Sequence, residues 1–115
     1  MSILFAGIPV GDIAVAREWY ARLFGRAPDL IPHEREVAWQ LASAGWVYVV
    51  EDLPRAGGSL VTLLVEDLDT EVGAAAERGL APDVRMEGPP RKAEFIDPDG
   101  NKVTFGQPSA ERGQR

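Results

Sequence analysis

Val10-Gly11-Asp12-Ile13 returns as Val65-Glu66-Asp67-Leu68, 55 positions further along the chain. Gly25-Arg26-Ala27-Pro28-Asp29 returns as Gly79-Leu80-Ala81-Pro82-Asp83 at an offset of 54. Ala38 and Gly45 match Ala93 and Gly100, again 55 apart. Matches in the same order with a one-residue slip point to a duplicated unit. A duplication decides the fold before any single element does.

The physics of each copy supports this reading. Residues 3–10 (ILFAGIPV) and 59–65 (SLVTLLV) are short apolar runs bounded by turn residues, which predicts strands. Asp12 and Asp67 follow, each able to accept from the open N–H groups of a helix start. Ile13, Ala16, Tyr20 and Leu23 then recur at helical spacing, as do Leu68, Val72, Ala75 and Ala76. Gly25 and Gly79 end the two helices. Three further strands are expected in each copy, near 30–32, 37–42 and 46–51, and near 83–86, 92–96 and 102–106. Asp97-Pro98-Asp99-Gly100-Asn101 forms the last hairpin turn, with Asp97 and Asp99 as turn residues. The expected fold is α+β: two tandem βαβββ modules, their mixed sheet curled around a cleft and their helices outside. One domain over 1–108 accommodates both repeats (about 3–52 and 59–106), joined through Arg55-Ala56-Gly57-Gly58. The polar stretch 109–115 reads as a frayed tail.

A chain of 115 residues is long enough for one such core. It contains no cysteine, which excludes disulfides, thiolate zinc sites and a cysteine nucleophile, and fits a cytoplasmic setting. No secretory leader pattern and no membrane-length apolar run is visible. The net charge is −6 without a Lys/Arg stripe, which argues against a nucleic-acid partner.

A duplicated βαβββ unit ending in Phe95-Ile96-Asp97-Pro98-Asp99-Gly100-Asn101 resembles the vicinal oxygen chelate superfamily. That group includes glyoxalase I, extradiol dioxygenases and bleomycin-resistance proteins. Val10-x-Asp12, Trp19-Tyr20 and Leu23-Phe24-Gly25 are similar to the family's first helix. The resemblance spans about residues 3–106. It implies a cleft shared by the two units and, in metal-using members, one His, Glu or Gln ligand on the first and last strand of each. There the ion acts as a Lewis acid on two vicinal substrate oxygens.

Carried onto this sequence, those positions are Phe5, Leu60, Thr104 and, through the repeat, Val49. None is a competent ligand for zinc, nickel or iron beyond a single threonine hydroxyl. Shifting by two gives Gly7, Thr62, Glu51 and Gly106, of which only Glu51 could ligate. The expectation is therefore no metal and no cofactor. His33, the one histidine, sits in a polar stretch and reads as a solvated loop residue.

If the metal positions face the cleft, alternation places Phe5, Gly7 and Pro9 there, with Val47, Val49 and Glu51 from the fourth strand. Leu60, Thr62, Leu64, Lys102 and Thr104 follow from the second copy. Trp39 and Phe5 are the candidates for stacking on a flat ligand. By the opposite parity, Trp46, Tyr48 and Val50 pack under the first helix. The ligand-binding set is thus Phe5, Gly7, Trp39, Val49, Glu51, Leu60, Thr62, Lys102 and Thr104. These residues suggest a homodimer that sequesters a small amphipathic molecule, aromatic or cationic. The alternatives are a metal-independent isomerase or lyase using Glu51, Thr104 or Lys102, and a non-catalytic interaction module.

Overall fold

The computed structural model describes residues 1–108; the 109–115 tail lies outside the described residues. Chain order is β1 (Leu4–Val10), α1 (Ile13–Phe24), β2 (Leu30–His33), β3 (Glu36–Ala42) and β4 (Gly45–Glu51). After a 3-10 turn over Leu53–Arg55 come β5 (Leu60–Leu64), α2 (Leu68–Glu77), β6 (Val84–Met86), β7 (Arg91–Ile96) and β8 (Lys102–Gln107). The strands form two four-stranded mixed sheets, β1-β4-β3-β2 and β5-β8-β7-β6. In each, the first strand runs parallel to the last and the remaining pairs are antiparallel. The two βαβββ modules are therefore present, with matching topology.

Local chemistry builds the helices as expected. The Asp12 carboxylate accepts from the N–H groups of Ala14 (2.9 Å) and Val15 (3.2 Å), and Asp67 accepts from Thr70 (3.2 Å). A second acceptor reaches each helix start from the end of the last strand of the same module. The Ile13 N–H donates to Glu51 Oε1 at 3.1 Å, and the Leu68 N–H donates to Gln107 Oε1 at 2.8 Å. Glu51 and Gln107 are thus equivalent residues that pin a helix to its sheet and satisfy an otherwise open donor. Glu51→Ala should cost about 1 kcal/mol of stability, the usual scale for losing a helix-start acceptor. Urea unfolding checks this.

The two modules share one buried core. Ile8, Val10, Tyr20, Trp39 and Val49 from the first are continuous with Leu68, Phe95, Val103 and Phe105 from the second. Their seam is polar and centred on the last turn. Asn101, fully buried, accepts from the Gly57 (3.1 Å) and Ser59 (2.9 Å) N–H groups. Its amide donates to the Pro9 carbonyl (2.8 Å) and to Asp97 Oδ2 (2.9 Å). Asp97 also accepts from the Tyr20 hydroxyl at 2.7 Å and from the Asp99 and Asn101 N–H groups, both at 2.9 Å. It is a turn residue, as its sequence context suggests, and a bridge to α1 as well. Gly57 (φ 100°) lets this seam close: a Cβ there would stand 2.5 Å from the Asp99 carbonyl oxygen.

Candidate functional site

Each sheet buries one face under its helix and leaves the other face open. In the first module, Ile8 and Val10 on β1 and Val47 and Val49 on β4 are buried in the core. The opposite face carries Phe5, Gly7 and Pro9 beside Trp46, Tyr48 and Val50, paired in that register. Phe5 and Trp46 stack with centroids 5.4 Å apart and planes 17° apart. The Tyr48 ring lies over Gly7, where a Cβ would come within 2.6 Å of the phenol. The open face of module one is therefore an aromatic shelf.

This geometry corrects three of the expected site residues. Val49 is fully buried on the helix side and cannot meet a ligand in the open cleft. Trp39 is fully buried too, its indole N–H donating to the Arg26 carbonyl (3.0 Å) and its ring against Tyr20 and Phe24. Glu51 turns to the start of α1, with Arg35 3.9 Å away. Val47, also expected in the cleft, faces the core. Trp46, Tyr48 and Val50 occupy the open face instead.

The cause is a slip in the repeat. Val37 pairs with Val49 as Ala93 pairs with Phe105, so the equivalent positions are 56 apart in the last two strands, not 55. Glu34 and Arg35 join β2 to β3, whereas Glu87, Gly88, Pro89 and Pro90 join β6 to β7. The second connection is longer by two residues, which moves the offset from 54 to 56. An error of one residue in register turns every side chain of a strand to the wrong face.

In the second module Leu60, Thr62, Lys102 and Thr104 lie on the open face, with Leu64, Lys92, Glu94 and Gly106. Thr62, Leu64, Pro90, Lys92, Glu94, Thr104, Gly106 and Pro108 line a hollow of about 410 Å³. Tyr48 and Thr104 are equivalent at the 56-residue offset, as are Val50 and Gly106. Where module one fills its open face with rings, module two carries Thr104 and Gly106 at the positions of Tyr48 and Val50 and has a cavity. Lys102 is 3.4 Å from Glu94, and Thr62 and Thr104 stand opposite each other in the ladder. The structure brings Thr62 and Thr104 into one hollow. Phe5 and Gly7 belong to the separate shelf, and Leu60 and Lys102 share the open face of the hollow without lining it.

Corrected for the slip, the four metal-ligand positions of the resemblance are Phe5, Tyr48, Leu60 and Thr104. Their donor set is two neutral hydroxyls and two hydrocarbons, which does not fit a divalent transition metal. Among the described residues there is no group of three His, Cys, Asp or Glu able to hold an ion. His33 lies at the end of β2, half exposed, its Nε2 3.4 Å from Glu36. Among the described residues no helix is long and apolar enough to cross a membrane.

No family model and no curated protein matches this sequence. Solved structures do. A glyoxalase/bleomycin resistance protein from Catenulispora acidiphila is 40% identical, with a TM-score of 0.91, over 95% of this chain and 100% of that one. The chain belongs to the glyoxalase/bleomycin resistance protein family. An antibiotic-binding protein from a Streptomyces species is 26% identical over 95% of this chain and 97% of that one, with a TM-score of 0.72. A lactoylglutathione lyase from Agrobacterium tumefaciens, 17% identical over 92% of both chains with a TM-score of 0.69, shares the fold. Family membership accounts for the paired modules.

Proposed function

We propose that this protein binds and sequesters a small amphipathic, ring-containing molecule without a metal ion. The observation that carries the reading is the open face itself. Its four metal-ligand positions hold Phe5, Tyr48, Leu60 and Thr104, and beside them the two copies have diverged into a shelf and a hollow. Stacked aromatics offer a flat ligand both area and quadrupole complementarity. A hollow in which Leu64, Pro90 and Pro108 stand beside Thr62, Thr104, Lys92 and Glu94 offers such a molecule both apolar and polar contacts. The antibiotic-binding relative makes an antibiotic-like compound a reasonable cargo.

Phe5, Gly7, Thr62, Lys102 and Thr104 remain in the binding set, joined by Trp46, Tyr48, Lys92 and Glu94. A two-fold pair of chains would close the site. Leu60 is 79% exposed, Leu64 66% and Phe5 47%, on the very faces that the ligand would use. A second copy laid across them would cover this apolar surface and set a shelf against a hollow. The isomerase or lyase reading loses Glu51, which accepts from the start of α1, and keeps Thr104 and Lys102 on the open face. The absence of cysteine supports a cytoplasmic setting.

Native mass spectrometry before and after incubation with zinc, nickel and iron(II) tests the reading. The expected result is a dimer that takes up none of the three and carries non-covalent organic mass from the host. Stoichiometric uptake of any of these ions would overturn it and return Lewis-acid chemistry to the open face.

A further inference from the structure

The hollow of module two has a charge pattern that narrows what it can hold. Glu94 is 3.4 Å from Lys102, so those two charges offset each other. Lys92 also lines the hollow, and no carboxylate among the described residues comes within 4.0 Å of it. We infer that the hollow receives an anionic group, a carboxylate or an ionised phenol, on the ring-bearing molecule, with the Lys92 ammonium as its charge partner. This rests on the small-molecule reading above and sets aside the cationic option of the sequence reading.

Three observations converge on it. Lys92 is the one cation of the hollow without an ion partner among the described residues. Thr62 and Thr104 stand opposite each other on the adjoining strands, so two hydroxyls can donate to the same anion. Gly106, directly across the ladder from Lys92, adds no side chain of its own to the hollow, where only Leu64 leans over it. The net charge of −6 acts against anions at long range. Screening confines that field to about 8 Å at physiological ionic strength, so a contact with Lys92 dominates once the ligand is seated. Charge-assisted bonds of this kind exceed neutral ones severalfold in their effect on affinity.

The test uses three probes that share one ring system and differ in charge: naphthoate, naphthamide and naphthylmethylammonium. Their affinities are measured by titration calorimetry on the wild-type protein and on Lys92→Met, whose melting curve confirms that it folds. Naphthoate should bind about tenfold more tightly than naphthamide, and naphthylmethylammonium more weakly than both. In Lys92→Met the preference should vanish, the ratio of the naphthamide and naphthoate dissociation constants falling from about tenfold to about one. Equal binding of the three, or a preference that survives the substitution, would overturn the inference and leave small-molecule binding intact. Failure of all three to bind would overturn both.

Discussion

Asn101→Ala is expected to lower the free energy of unfolding by about 3 kcal/mol, a large fraction of what a domain of this size has. The side chain is fully buried and makes four hydrogen bonds, to Gly57, Ser59, Pro9 and Asp97. Its removal leaves two N–H groups and a carbonyl without their partners. Each costs about 1–3 kcal/mol when dry. Gly57, Ser59 and Pro9 are only half-buried, so water recovers part of this, which sets the estimate below the simple total. Asn101→Asp separates hydrogen bonding from packing. A carboxylate can still accept from Gly57 and Ser59, but it offers oxygen to the Pro9 carbonyl and to the Asp97 carboxylate. It should therefore be no more stable than the alanine variant at neutral pH, despite keeping the volume. Urea unfolding of both variants decides: a loss below about 1 kcal/mol for alanine would mean that the seam is held by the apolar core alone.

This seam also shows what could be read from the sequence. The turn from Asp97 to Asn101 is plain as a turn, because proline, glycine and side-chain acceptors act within a few residues of themselves. That Asn101 reaches Pro9, 92 positions away, is a tertiary fact with no local signature. The duplication, the helix starts at Asp12 and Asp67 and the succession of elements along the chain follow from patterns that repeat in it. Facing does not. β1 and β4 are apolar on both sides, so alternation gives no polar marker for the exposed face, as it would on a half-solvated strand. Parity then rests on the repeat offset, which the longer β6–β7 connection shifts by one, so that Tyr48 and not Val49 is on the open face. Trp39 illustrates a different limit. Alternation along Val37-x-Trp39-x-Leu41 identifies a common face, but its burial against Tyr20 and Phe24 depends on where α1 docks.

Alkaline conditions should destabilise the protein through Tyr20, and Tyr20→Phe should abolish that part of the pH dependence. Burial raises the Tyr20 hydroxyl well above its ordinary value near 10, and the hydrogen bond to the Asp97 carboxylate and the charges of Asp97 and Asp99 raise it further. The folded state therefore keeps a proton that the unfolded chain releases. Below about pH 10 both states are protonated at this residue and the contribution is fully present. Above it the unfolded state loses the proton first, and stability falls by about 1.4 kcal/mol per pH unit until the folded hydroxyl also ionises. The phenylalanine variant has nothing to release, so its stability should be flatter from pH 10 to 11 than that of the wild type. At pH 7 it pays a separate cost. Asp97 is almost completely buried and loses the 2.7 Å bond, and hydrogen bonds to charged groups are worth about 1.5–3 kcal/mol. The two stability curves should therefore converge as the pH rises past 10. Parallel curves would show that Tyr20 ionises alike in both states, and with that the bond between α1 and the last turn would lose its assigned role in holding the modules together.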